Sequence, residues 1–362
     1  MTGSELKFRR LADRLRQEIT DGIWPPGSRL PTEPELARDN VVSVSTVRRA
    51  VTDLVAEELV ERRQGSGTFV LPGRAARRSA PLIGVIVPDT AFYYPRVLGG
   101  IAEVLAAAGS RHLIACSGYD PARELTELRE MLDAGADGLL VVPTLTGPPG
   151  GPADYLHRLA ELPVPVVLVE RRGTTLGDPT ESVCTHHEAG GYDAVHHLAR
   201  LGHRTVGLVL RVPSPTAEPV RRGFHLAVAE LDGHSAEFLA AREEWSPATA
   251  DRCLAGLRAE GVTAAVCFGD RQAVLLQSAA RRAGLSVPGD LALIAYDDEI
   301  ADLADIPLSA VAPPKRLLGR TAATFLLNRI EQPDLALRQV LLRPAIAVRD
   351  SCGSARTAAL NG

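Results

Sequence analysis

Between Arg29 and Val70 the chain runs RLPTEPELARDNVVSVSTVRRAVTDLVAEELVERRQGSGTFV, two short capped helical segments followed by a basic hairpin with a Gly-Ser-Gly tip. Upstream, Leu11, Leu15 and Ile19 recur every four residues until Gly22, Pro25 and Pro26 stop the run, which predicts a support helix with one buried face. Thr32 and Glu35 have capping-box spacing, and Pro34 falls in the first turn, where its missing N–H does little harm. Ser43 is placed to cap a third helix whose inner stripe is Val47, Ala50, Val51 and Leu54. Leu59–Arg63 and Thr68–Val70 then pair as the hairpin. This order of parts predicts a winged helix-turn-helix.

In such a unit the N-terminal residues of the third helix read base edges, and the wing lies over phosphates or reaches into the minor groove. The candidate contacts are therefore Thr32, Ser43, Val44, Ser45, Thr46 and Arg48, with Arg62, Arg63, Gln64, Gly65 and Gly67 on the wing. Gly65-Ser66-Gly67 is also half of a dinucleotide fingerprint, but it sits at a hairpin tip without the third glycine or a following helix.

Over residues 6–70 the segments LPTEPELA, VSVSTVRRAVTDL and LVERRQGSGTFV closely resemble the DNA-binding domain of the GntR family of bacterial transcription regulators. The resemblance implies double-stranded operator DNA as partner. The family usually carries arginine where Pro34 and Val44 stand, and both arginines commonly contact bases. Arg48 and the small residues Ser43, Ser45 and Thr46 are retained. Because each bidentate arginine–guanine contact supplies about 1–3 kcal/mol of discrimination, the operator is expected to differ from the family's common half-site or to be read with fewer strong contacts.

A chain of 362 residues exceeds the needs of that unit, and its charge is uneven. Residues 1–79 hold 14 Lys/Arg against 11 Asp/Glu, whereas the rest holds 26 against 33 within an overall formal charge of −4. Arg74, Arg77 and Arg78 in LPGRAARRSAP mark a linker over residues 72–81. The expected division is a head over 1–71, that linker, a large domain over 82–352, and a tail over 353–362. The five cysteines are isolated and lack C-x-x-C spacing, which suits a reducing cytoplasm and argues against disulfides or structural zinc. No segment has eighteen consecutive apolar residues, and no apolar leader begins the chain, so no membrane partner is expected.

From Leu82 onward, apolar runs alternate with amphipathic segments. Strands are predicted at 82–88, 112–118, 138–143, 165–170, 205–211, 264–269 and 291–297, with helices between most of them, including 96–109 and 122–134. This pattern predicts an α/β fold with parallel sheets covered on both faces, which bind ligands beyond the carboxyl ends of their strands. Those ends carry Asp89, Glu170, Arg211, Asp270 and Asp297, with Phe92, Tyr93 and Tyr94 just after Asp89. Acids that hold hydroxyls and an aromatic face that covers C–H groups suit a small polyol.

The segments LIGVIVPDTAFYYPRVLGGI, ADGLLVVP, PVVLVERR, HLARLGHRTVGLV, RRGFHLAVAEL and AARRAGLSVPGDLALIAYDDEIADLADIPLSAV, then LLGRTAATFLLNRI, resemble the effector domain of the LacI/GalR family in the family's order. That domain is similar to periplasmic sugar-binding proteins. A GntR-type head joined to it is similar to the arabinose-responsive regulators. The resemblance implies two lobes, 82–184 with about 310–332 and 185–309 with about 335–350. It places effector contacts at Asp89, Tyr94, Glu170, Asp270 and Asp297, with Tyr93 adjoining. It also implies a cytoplasmic homodimeric regulator, a repressor, that responds to a small-molecule effector such as a sugar or another metabolite. Two departures stand out: Val220 replaces the usual arginine of the RRGF segment, and Gly269 replaces the usual asparagine before Asp270. Arg222 or Arg221 is the nearest substitute donor.

His186, His187, His196, His197 and His203 cluster in sequence, but adjacent residues on a helix do not face each other, so no metal is expected. Asp297, Asp298 and Glu299 precede a segment whose helix dipole they suit. The chain has no G-x-S-x-G, H-E-x-x-H or Walker A sequence and no nucleophile with a base at recognisable spacing, so neither an enzyme nor a cofactor is expected.

Overall fold

The computed structural model describes residues 3–20, 22–25, 27–57, 59–63, 66–71 and 80–354. Gln64, Gly65 and the linker arginines Arg74, Arg77 and Arg78 lie outside the described residues. The chain forms two compact units that divide between Pro81 and Leu82.

In the first unit, helix α1 (Gly3–Thr20) buries Phe8, Leu11, Leu15 and Ile19. Leu11, Leu15 and Ile19 meet Leu30, Leu36 from α2 (Glu33–Asp39), and Val47, Ala50, Val51 and Leu54 from α3 (Val44–Ala56). Ser43 caps α3 by accepting from the Thr46 N–H at 3.2 Å. At α2 the Glu35 carboxylate accepts from both the backbone N–H and the hydroxyl of Thr32, each at 2.7 Å. Strands β1 (Val60–Arg63) and β2 (Gly67–Val70) pair antiparallel with Val60 opposite Val70, and those two valines close the core. Gly67 has φ +117°, and a Cβ there would stand 2.6 Å from Arg29 Nε.

The second unit contains two six-stranded sheets. The first lobe uses β3 (Leu82–Val87), β4 (Arg111–Cys116), β5 (Gly138–Val141), β6 (Val166–Val169) and β7 (Glu181–Thr185), with helices α4 (Tyr94–Ala107), α5 (Pro121–Asp133) and α6 (Gly151–Ala160). The second lobe uses α7 (His187–Arg200), β8 (Thr205–Arg211), α8 (Ala217–Glu230), β9 (His234–Ala240), α9 (Pro247–Ala259), β10 (Ala264–Cys267), α10 (Asp270–Arg282), β11 (Ala292–Tyr296) and β12 (Ser309–Ala312). The chain then returns through α11 (Lys315–Glu331) and β13 (Gln339–Leu342) to the first lobe and ends in β14 (Ala345–Ala347) in the second. The sheet orders are β13-β7-β6-β5-β3-β4 and β14-β12-β11-β10-β8-β9. All pairings are parallel except that of β12 with β14.

The lobe crossings differ from the expected segments. Residues 310–312 belong to β12 and stay with the second sheet, whereas β13, expected in the second lobe, pairs with β7 in the first. Strands β7, β9, β12, β13 and β14 were not predicted. β7 is wholly buried yet reads ESVCT, and its Glu181 is neutralised by Arg329 at 3.2 Å and Arg338 at 2.5 Å. β9 is an edge strand and so needs no apolar run. Helices α4 and α11 approach closely because Gly100 and Gly319 stand at their crossing, where a Cβ on either would collide with a carbonyl oxygen of the other helix. Among the described residues, no helix is long and apolar enough to cross a membrane.

Candidate functional site

On the head, the start of α3 presents Ser43, Val44 and Ser45 outward, with Arg48 and Arg49 one turn further on. Thr46, grouped with them by sequence, points inward: it is buried, and its hydroxyl lies 2.8 Å from Ser43 Oγ, because the fourth residue of the cap motif turns toward the core. Arg48 is exposed but engaged, since its Nε donates to Glu33 Oε2 at 3.0 Å. Arg62 reaches the same carboxylate, with Nη2 3.3 Å from Oε1, and also donates to the Arg48 carbonyl at 3.2 Å. Arg63 lies over Phe69, 4.6 Å from its ring centroid, and donates to Glu61 at 2.7 Å. Of the predicted wing contacts, Gln64 and Gly65 fall outside the described residues.

In the second unit a cavity of about 440 Å³ opens between the lobes. Its wall includes Tyr93, Tyr94, Glu170 and Asp297 from the predicted set. Asp89, Asp270 and Arg222 are not on that wall. Asp89 accepts from the Ala91 N–H at 2.9 Å, closing its own turn. The Asp270 carboxylate accepts from the N–H groups of Asp298, Glu299 and Ile300 at 3.3, 2.6 and 2.9 Å, so it shapes the turn beside Asp297. Gly269, ahead of it, has φ +112°. Arg222 pairs with Glu188 at 3.4 Å and lines a separate hollow of about 90 Å³, and Arg221 is held by Glu237 through two bonds of 2.8 Å. Neither substitutes for the arginine missing at Val220, which is fully buried. Phe92 is exposed outside the cavity, and Tyr119 from the loop after β4 joins Tyr93 and Tyr94 as its aromatic surface.

The cavity floor is a polar chain. Glu170, in the left-handed region at φ +65°, accepts from the Thr185 N–H at 3.1 Å, from the Thr185 hydroxyl at 2.9 Å, and from the Tyr93 hydroxyl. His187 Nε2 lies 2.9 Å from Glu170 Oε1, at ion-pair distance but off the hydrogen-bond line, while its Nδ1 is 2.9 Å from the Tyr296 hydroxyl. Burial pushes the Glu170 carboxyl up, but the neighbouring His187 and the hydrogen bonds from Tyr93 and Thr185 outweigh it and hold Glu170 below the usual carboxylate range.

Asp297, at φ +95°, takes no side-chain hydrogen bond among the described residues. Burial, then repulsion from Asp270, pushes its carboxyl up to about 6 despite the opposing pull of Lys315 and Arg211. Lys315 is itself buried at the start of α11. It donates to the Asp297 carbonyl and lies 2.5 Å from Glu299 Oε1, which ties the first lobe's last helix to the turn of the second.

Sequence reasoning missed His187, Tyr119, Arg171 and Arg242 as cavity residues and noted Arg211 only as a strand end. Arg171 and Arg211 stand directly after or at the ends of β6 and β8, so the strand-end rule could have found both. Nothing local marks Tyr119 or Arg242.

Residues 7–70 match the family of bacterial regulatory proteins called gntR, and residues 195–352 match the periplasmic binding protein-like domain. Over 355 residues the chain is 31% identical to the arabinose metabolism transcriptional repressor of Geobacillus stearothermophilus, covering 95% of this chain and 97% of that protein. It is 26% identical over 372 residues to a protein of the same name from Halalkalibacterium halodurans, covering 98% of each. Among solved structures, the transcription regulator GntR from Chromobacterium violaceum is similar with a TM-score of 0.65 at 27% identity, over 75% of this chain and 99% of that one. The relatives are regulators, not enzymes, and the chain belongs with them: it is a DNA-binding transcription regulator of the gntR family, its winged helix-turn-helix head joined to a periplasmic binding protein-like domain.

Proposed function

We propose that this protein is a homodimeric, cytoplasmic repressor whose operator affinity is set by a sugar or sugar derivative held between the two lobes. The observation that carries the reading is the interlobe cavity, whose wall brings Glu170, His187 and Asp297 together with Tyr93, Tyr94 and Tyr119. Carboxylates that accept from hydroxyls and rings that cover C–H faces are the pairing a small polyol needs. The arabinose metabolism of the named relatives points the same way.

On the head, Ser43, Val44, Ser45 and Arg48 are assigned to base edges, and Arg62, Arg63 and the Gly67 turn to the backbone and minor groove. Two heads about one helical turn apart read a two-fold site, which is the argument for a dimer. Ligand in the cavity favours one setting of the lobes, and the coupling to operator affinity is typically about 1–3 kcal/mol.

The test is binding of the full chain to the intergenic DNA beside its own gene and to a scrambled duplex at near-physiological salt, with and without a panel of sugars. Selective binding to the native fragment that one sugar abolishes is the expected result. Equal, salt-sensitive binding to both duplexes, unaffected by any sugar, sinks the reading. Arg48→Ala separates the two kinds of contact: a loss of about 1–3 kcal/mol on the operator alone marks base readout, and an equal loss on both duplexes marks a phosphate contact.

A further inference from the structure

Three guanidinium groups face the interlobe cavity without a carboxylate partner. Arg171 follows β6 and donates from Nη1 to the Pro143 carbonyl at 3.2 Å, with Nη2 3.5 Å from the Tyr94 hydroxyl. Arg211 ends β8, its guanidinium carbon 5.7 Å from the Phe268 ring centroid. Arg242 comes from the loop after β9. Tyr119 holds Arg171 and Arg242 in one cluster, each guanidinium carbon 5.2 Å from its ring centroid. Among the described residues none of the three forms an ion pair, whereas Arg221 and Arg222 nearby are both paired with glutamates.

The acids on the same wall do not balance this cluster. Glu170 is already satisfied by Thr185, Tyr93 and His187. Asp297 and Glu243 remain, and Asp297 is the weaker anion because burial and Asp270 oppose its ionisation. Burial, then the charge of Arg242, pushes Arg211 down, although Asp297 pulls it up; Arg171 is raised against its burial by Tyr94, Tyr119, Glu124 and Glu170. A neutral polyol would leave these guanidinium groups without a counter-charge in a cavity it had just closed to water. An anionic group would supply one and accept the paired, planar N–H bonds that arginine offers.

The geometry points to an effector that carries a negative group, a carboxylate or a phosphate ester, on a hydroxylated body. Arg171, Arg211 and Arg242 hold the anion, and Asp297 takes hydroxyls. This inference rests on the cavity being the effector site.

The experiment uses the full chain in two measurements at constant ionic strength. In the first, inorganic phosphate is titrated against chloride while the thermal midpoint of the native protein is compared with those of Arg211→Gln and Arg242→Gln. Arg242 is exposed, so its variant tests the cluster without disturbing the core. Phosphate should raise the native midpoint above the chloride control, and each substitution should abolish the rise. No rise, or a rise that both variants keep, overturns the inference. In the second, calorimetric titrations compare L-arabinose and D-ribose with their aldonic acids and 5-phosphates. At least tenfold tighter binding of an anionic member over its neutral parent is expected, with that advantage lost in Arg211→Gln. Preference for the acid or for the phosphate ester identifies which anion the cluster takes. A neutral sugar that binds as tightly as its anionic counterparts overturns the inference. If its binding is lost in Asp297→Asn, the cavity is still the effector site; if no sugar binds and phosphate has no effect, both readings fall.

Discussion

Arg48 on the third helix donates to Glu33 on the second at 3.0 Å, so the arginine proposed to read bases is held by a carboxylate of the preceding helix. The same carboxylate holds Arg62 of the wing. All three side chains are partly exposed, and such pairs contribute only about 0–1 kcal/mol.

Glu33→Gln releases both arginines and removes a negative charge from the face proposed to meet DNA. We expect binding to operator and to scrambled duplex to tighten together, by about twofold to fivefold, in line with a surface pair of that strength. Weaker operator binding in a titration at fixed salt would mean instead that Glu33 aims the arginines.

Glu170 and His187 form a buried pair at 2.9 Å, and removing one partner leaves the other without its counterpart. Glu170→Gln should destabilise the second unit by about 1–3 kcal/mol, because a buried, several-fold hydrogen-bonded acceptor loses its charge. Urea unfolding followed by Trp245 fluorescence in a Trp24→Phe background reads that unit alone, since the chain has two tryptophans. In a double-mutant cycle with His187→Gln, a coupling of about 0.5–3 kcal/mol is expected, and strict additivity would show that the pair contributes nothing.

Asp297 yields a pH dependence whose sign is set by its raised carboxyl. In the folded protein it is protonated below about 6, whereas its ordinary value is 3.8. Between these values the native state binds more protons than the unfolded chain, so this residue's effect on stability worsens as pH rises through the window. Asp297→Asn removes the effect. Relative to the native protein, the variant should therefore gain about 1–3 kcal/mol between pH 4 and pH 7, because the carboxyl is raised from 3.8 to about 6. A difference that stays flat with pH in the same urea titration would place Asp297 in a more solvated setting.

Helices α4 and α11 touch at Gly100 and Gly319, and a methyl group at Gly319 would meet the Val97 carbonyl. Gly319→Ala should cost at least about 1–3 kcal/mol through forced separation of the helices. Gly99→Ala is the control, because a Cβ there meets nothing within 4 Å and alanine favours a helix by up to about 1 kcal/mol. Equal effects of the two substitutions on the thermal midpoint would show that the crossing tolerates the added carbon.

The head could be read almost completely from sequence because its determinants are local. The stripe of Leu11, Leu15 and Ile19, the Ser43 cap and the Val60–Val70 pairing all act within tens of residues. Most central strands were equally plain, since strands buried on both faces tend to be apolar runs, whereas β7 hides its burial behind the Glu181 ion pairs and β12 is only the four residues Ser309–Ala312. The strand-end rule could not tell Glu170 and Asp297, which line the cavity, from Asp89 and Asp270, which do not. All four are acids just after a strand; backbone N–H groups tie the Asp89 and Asp270 carboxylates into local turns, whereas Glu170, although it accepts from the Thr185 N–H, and Asp297 stand on the cavity wall. Nor could it bring Tyr119, His187 and Arg242 together with the strand-end arginines Arg171 and Arg211. These residues stand on separate connections of two lobes, and which side chains share a cavity depends on how two sheets face each other. Sequence alone thus determined the two kinds of domain, seven of the sheet strands and the capped third helix of the head, because propensity, capping and burial act along the chain. The membership and charge of the cavity were decided only by tertiary structure, because electrostatics and hydrogen bonding act through space.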